Sequence, residues 1–216
     1  MSLDTDNSHV WIHNMDLFYG KKGSAADQAK GDGTVDIKGD SKYVTVAYNR
    51  FWDNGKASMC GMKSETGENW ITYHHNWFDH SDSRMARVRT MSVHMYNNYY
   101  QHCDVYGIGA TSGSSIFMES NYFDAVKRPI MSSLQGTDAK GDGTFSGEKG
   151  GLIKAYGNVF ANKPANFSYI PYAENNTSFD AYEVSDPSEQ VPASVKTLVG
   201  GTSYDNFDTN PSLMYA

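Results

Sequence analysis

Apolar and polar positions along this chain recur as a fixed cassette rather than as a continuous periodicity. An Asn-x-aromatic step occurs as Asn49-Arg50-Phe51, Asn76-Trp77-Phe78, Asn98-Tyr99-Tyr100, Asn121-Tyr122-Phe123 and Asn158-Val159-Phe160. Five residues before each Asn stands a β-branched aliphatic: Val44, Ile71, Val93, Ile116 and Ile153. Two residues further on come Val46, Tyr73, Met95, Met118 and Ala155. An offset of two is the strand period, so each pair points to one face. Val10-Trp11-Ile12 fits the same register, with Met15 and Leu17 in the Asn and aromatic slots.

Successive Asn positions are separated by 27, 22, 23 and 37 residues. A base period in the low twenties, lengthened by insertions, is the signature of a solenoid. Helical units are excluded because the segments are short, β-branched and broken by Gly and Asn. A sandwich would not repeat one polar residue at one offset. Stacked Asn amides can bond the backbone of their own turn and the Asn above and below. The pattern therefore predicts an all-β, right-handed parallel β-helix with a column of stacked aromatics. It predicts one domain over residues 1–216, with a loop-rich tail from about 162. The five ladder Asn are read as structural.

The 20 Gly and 15 Tyr against 6 Pro support the turn-rich β reading. A net charge of -7 argues against nonspecific binding to nucleic acid or anionic membranes. No apolar run approaches bilayer length. Cys60 and Cys103 allow at most one bridge and are read as buried free thiols.

Against that acidic background, RMARVR places Arg84, Arg87 and Arg89 within six residues. Guanidinium forks match carboxylates and phosphates, so the knot suggests an anionic ligand; a structural salt-bridge cluster is the alternative. Asp32 and Asp36 lie in KGDGTVDIK. On a straight strand they would be roughly 13 Å apart, too far to share a cation. The flanking Gly31 and Gly33 permit a bend that brings them together, and two hard oxygen groups suit Ca²⁺. The alternative is a Gly-rich turn with solvated acids. KGDGT recurs at 140–144 with Ser146 in place of the second Asp, which singles out Asp36. His74 and His75 on one strand should point to opposite faces, so a wall role is favoured over zinc. Glu65, Asp79 and Asp82 show no arrangement suited to a carboxylate pair.

Taken in order, VWI, DGTVDIK, YVTVAYNRFWDNGKASMCG, ITYHHNWFD, SRMARVR and VHMYNNYY resemble the pectate lyases of polysaccharide lyase family 1. The likeness runs from Val10 to about Phe160, and GGTSYDNFDT resembles the tail of bacterial members. It implies Ca²⁺-dependent β-elimination of polygalacturonate by a monomeric, extracellular or periplasmic enzyme. No secretory signal is visible at Met1, which makes a mature or trimmed form the expectation. The resemblance assigns Asp32 and Asp36 to calcium, Lys56 to the substrate carboxylate, Arg84 to the base and Arg89 to substrate binding.

Three departures stand out. Ala86 replaces the proline of the family's Arg-x-Pro-x-x-Arg, His13-Asn14 stands where Asp-His follows VWI, and a further upstream calcium Asp has no counterpart in register. The chain is thus expected to lack N-terminal coils. A non-catalytic uronate-binding solenoid and a pectin lyase acting on methylated substrate are the competing readings.

Overall fold

The computed structural model describes residues 1–18, 33–62, 65, 69–132, 151–167 and 190–198. Asparagine explains why the chain coils. Each ladder Nδ2 donates to the Oδ1 of the next Asn, from Asn49 to Asn76 (3.0 Å), Asn98 (3.0 Å), Asn121 (3.1 Å) and Asn158 (2.9 Å). The same Nδ2 groups reach back to the Ile12, Val46, Tyr73, Met95 and Met118 carbonyls. Each Oδ1 also accepts the main-chain N–H of the preceding rung, beginning with Met15 on Asn49. Turn amides that would otherwise be buried unpaired are thereby satisfied.

Between these turns the strands of the described residues form three parallel sheets of six strands each. The first holds Ser2–Leu3, Val35–Ile37, Ser58–Cys60, Arg87–Val88, Ile108–Ala110 and Ile130–Ser132. The second holds Ser8–His13, Lys42–Ala47, Ile71–His74, Ser92–Tyr96, Ser115–Glu119 and Leu152–Tyr156. The third holds Asp16–Phe18, Arg50–Trp52, Trp77–Asp79, Tyr99–Gln101, Tyr122–Asp124 and Val159–Ala161. The chain visits the sheets in rotation, one strand of each per coil. This is the parallel β-helix that the cassette predicts.

The aliphatic pairs stack in register. Val10, Val44, Ile71, Val93, Ile116 and Ile153 form one inward row, and Ile12, Val46, Tyr73, Met95, Met118 and Ala155 form the next. On the third sheet Phe51, Phe78, Tyr100, Phe123 and Phe160 stack with ring centroids 4.4 to 5.4 Å apart. Leu17 begins that row. The Tyr73 hydroxyl crosses the interior to Ser58 Oγ (2.7 Å) and Cys60 Sγ (3.3 Å), and Ser58 in turn donates to the Val35 carbonyl. Both cysteines are buried and free, as expected.

One element departs from the loop-rich tail. Helix Val191–Leu198 lies on the third sheet, with Val191 and Val195 packed on Trp77 and Tyr99. Residues four apart share a helix face, which explains this pairing. Lys196 Nζ lies 4.9 Å from the Trp77 ring centroid and 5.3 Å from that of Tyr99.

Candidate active site

Pleating gives the first sheet an outward row opposite its core positions. Ser2, Asp36, Met59, Arg87, Gly109 and Met131 stand in register along it. Asp36 is 9% exposed. The turn before it needs glycine: Gly33 has φ +89°, and a Cβ there would lie 2.2 Å from Asp36 Oδ1. The bend expected from Gly33 thus exists and folds the chain over the Asp36 carboxylate. Asp32, Gly31 and the second KGDGT copy lie outside the described residues.

Lys56 is half-buried and bridges Ser83 of the next coil in parallel, just ahead of strand Ser58–Cys60. Asn54 fixes that margin. Its Nδ2 donates to the Leu17 carbonyl (3.0 Å), and its Oδ1 accepts Thr34 Oγ1 (2.8 Å), two residues before Asp36. Ser83 Oγ donates to the Gly55 carbonyl (3.0 Å), stitching the coil of Lys56 to that of Arg84.

Arg84 has φ 60°, followed by a cis Met85–Ala86 peptide. Its carbonyl accepts the Ser58 N–H at 2.6 Å, and its guanidinium hydrogen-bonds the Tyr106 hydroxyl. Arg87 is 6% exposed, with Nη2 3.1 Å from Met59 Sδ. It stands two strands from Asp36 in the outward row, about 10 Å along the sheet. Strand direction therefore keeps Arg87 on the face of Asp36. Arg89 follows on the other margin of the sheet, half-buried, its N–H donating to the Cys60 carbonyl (2.8 Å). The fold brings Asp36, Lys56, Arg84 and Arg89 to one sheet on consecutive coils.

Glu65 has a structural role that the sequence did not show. Its Oε1 accepts the Gly39 N–H (3.2 Å), and its Oε2 accepts the Met62 N–H (2.9 Å) and Thr90 Oγ1 (2.7 Å). One carboxylate thus clasps three coils beside Arg89. Burial works to raise its pKa, but the hydrogen bonds from Thr90, Met62 and Gly39 prevail and hold it down at about 2. Gly61, next to this clasp, packs so closely that a Cβ would lie 1.7 Å from the Arg89 carbonyl.

The reading of the histidines needs a correction. His74 and His75 do not diverge, because the strand ends at His74 and His75 turns with φ 53°. Their Nδ1 atoms lie 2.8 Å apart. Both belong to the wall of the second sheet, where His74 stacks on Tyr96 and His75 on Tyr48. Burial, then His75 and His94, lower the His74 pKa to about 4. Asp79 serves the third sheet: its Oδ2 accepts Arg50 Nε (3.1 Å) and Nη2 (2.6 Å), and Arg50 lies over Trp77. Among the described residues no three His, Cys, Asp or Glu side chains gather as a metal-ligand group. Asp36 itself fits a hard cation through its oxygen donors and the glycine cradle above them.

A family described as pectate lyase matches residues 1–191. A pectate trisaccharide-lyase of Bacillus licheniformis is 31% identical over 133 residues, spanning 61% of this chain and 38% of the relative. Pectate lyase C of Dickeya chrysanthemi is 33% identical over 167 residues, spanning 76% of this chain and 41% of the relative. Among solved structures, a pectate lyase from Bacillus sp. N165 in complex with trigalacturonate superposes with a TM-score of 0.71 at 28% identity. It covers 93% of this chain and 62% of its own. The chain belongs to the pectate lyase family. It spans about two-fifths of the length of these two curated relatives.

Proposed function

We propose that this chain performs calcium-dependent β-elimination on polygalacturonate, releasing 4,5-unsaturated oligogalacturonides. The observation that carries the reading is the gathering of Asp36, Lys56, Arg84 and Arg89 on consecutive coils of one sheet. The trigalacturonate bound to the Bacillus sp. N165 enzyme supports the substrate class. A pectic substrate implies work outside the cytoplasm.

The reaction removes the C5 proton, alpha to the uronate carboxylate, and expels the glycosidic oxygen from C4. The C5–H electrons become the C4=C5 double bond, and the departing oxygen takes up a proton. The difficulty is the negative carboxylate, which leaves the C5 proton poorly acidic. Lys56 and Arg89 neutralise that carboxylate and stabilise the enolate-like charge that develops beside it. Asp36, together with Asp32, would hold Ca²⁺, which when bound would supply a further positive charge for the same carboxylate. Arg84 accepts the proton at its guanidine nitrogen. An isolated guanidinium keeps its proton, so this role calls for neighbouring cations and an alkaline medium.

The test is absorbance of the unsaturated uronide after mixing protein, polygalacturonate and Ca²⁺ at alkaline pH. Wild type should form product, whereas Arg84→Lys should form none while keeping its circular dichroism spectrum. Product from Arg84→Lys would remove Arg84 as base. Turnover undiminished in excess chelator would transfer the chain to the methylated-substrate branch. Binding without any product would make it a uronate-holding solenoid.

A further inference from the structure

Tyr106 lies in the heart of this face, although nothing in its sequence neighbourhood marks it. The side chain is 4% exposed. Its ring fills the gap in the outward row at Gly109, where a Cβ would meet Tyr106 Cε2 at 3.0 Å, Arg87 Cγ at 3.4 Å and Tyr106 Cζ at 3.5 Å. Glycine there is a slot for the ring. The backbone holds the coil in register, since Tyr106 N–H donates to the Asp82 carbonyl (3.2 Å) and Met85 N–H to the Gly107 carbonyl (2.8 Å). The hydroxyl then meets the Arg84 guanidinium, with Arg87 alongside.

Resting on the lyase reading above, we propose that Tyr106 is a positioning residue that fixes the Arg84 guanidinium for proton abstraction. A phenol suits both states of that base. Its oxygen accepts an N–H from the charged guanidinium, and its O–H can turn to donate to the bare nitrogen of the neutral form. One contact therefore persists through the proton transfer, and Tyr106 itself moves no proton. Burial raises the phenol pKa, and the charges of Arg84 and Arg87 offset this only in part. The group thus stays a neutral hydroxyl in alkaline solution. A phenolate would instead hold Arg84 in its charged form.

Tyr106→Phe removes the oxygen and leaves the ring in the Gly109 slot, so the variant tests the hydrogen bond alone. Two readouts are taken together: polygalacturonate kinetics, and ¹⁵N side-chain spectra in which Arg84 is assigned by its absence in Arg84→Lys. In wild type the Arg84 Nη signals should be resolved by slow rotation, and in Tyr106→Phe they should coalesce. The variant should lose about tenfold in kcat with KM changed by less than about twofold, as expected for misplacing a reacting group. Unchanged Arg84 signals, or an unchanged kcat, would overturn the assignment. If wild type itself forms no unsaturated product, the lyase reading falls, and the Arg84 signals alone decide whether Tyr106 holds that side chain.

Discussion

Replacing Asn98 by Ala strips the ladder of its middle rung. The side chain is fully buried. Its Nδ2 donates to the Tyr73 carbonyl (2.9 Å) and to Asn121 Oδ1 (3.1 Å). Its Oδ1 accepts the Asn76 main-chain N–H (3.1 Å) and Asn76 Nδ2 (3.0 Å). At roughly 1 kcal/mol net for each buried bond, the loss is about 4 kcal/mol. Asn76 Nδ2 keeps its bond to the Val46 carbonyl, but the Asn76 N–H faces the space that the amide occupied. For a chain of this size, 4 kcal/mol corresponds to a fall in Tm of roughly 8–16 °C. The assay is thermal melting followed by circular dichroism, with Asn158→Ala as internal control. Asn158 is half-buried and ends the described column, accepting two bonds from Asn121 and donating one to Met118. Asn98→Ala loses one bond more than Asn158→Ala and should therefore melt lower, by roughly 2–4 °C. Equal losses, or a cost under about 1 kcal/mol for Asn98→Ala, would refute the ladder as the source of stability.

Two further outcomes concern pH. Glu65 is held at about 2 when folded, below its ordinary 4.5. Its contribution is therefore complete above pH 4.5 and is lost as pH falls toward 2. Glu65→Gln should lower Tm at neutral pH and flatten the acid decline, so parallel declines in the two proteins would dismiss the clasp. His74 is held at about 4, below its ordinary 6.5, so its share of stability is present above 6.5 and fades as pH drops through 4. Nearby Glu119 works the other way: burial raises it to about 7, and its share is present below 4.5 and lost as pH rises through 7. Substituting His74 alone separates the two. Melting curves at neutral pH and about two units lower should differ less for His74→Gln than for wild type.

The scaffold was legible because coils repeat the same physical problem. Each turn must satisfy buried amides and each strand must face a common core, so Asn, aliphatic and aromatic recur at fixed offsets. Asp36, Arg84 and Arg89 stood out as a glycine-flanked carboxylate and a cationic knot, but Lys56 and the shared site were legible only through resemblance, since no spacing rule links residues on different coils. Glu65 escaped because its three partners, Gly39, Met62 and Thr90, each lie at a different depth in the stack. Tyr106 escaped because its partner slot is a missing side chain at Gly109. The divergence expected of His74 and His75 failed at a strand end, where alternation stops applying. Helix Val191–Leu198 escaped because its apolar stripe in the sequence, Val191, Val195 and Leu198, runs for only about two turns.

The column of asparagines has a direction. Every carboxamide from Asn49 to Asn121 aims its NH₂ group toward the C-terminal coils, so their dipoles add head to tail. Turning one amide around would set oxygen against oxygen on one side and NH₂ against NH₂ on the other. A newly laid coil therefore inherits the orientation of the one beneath it, and the stack grows as a template with a single sense.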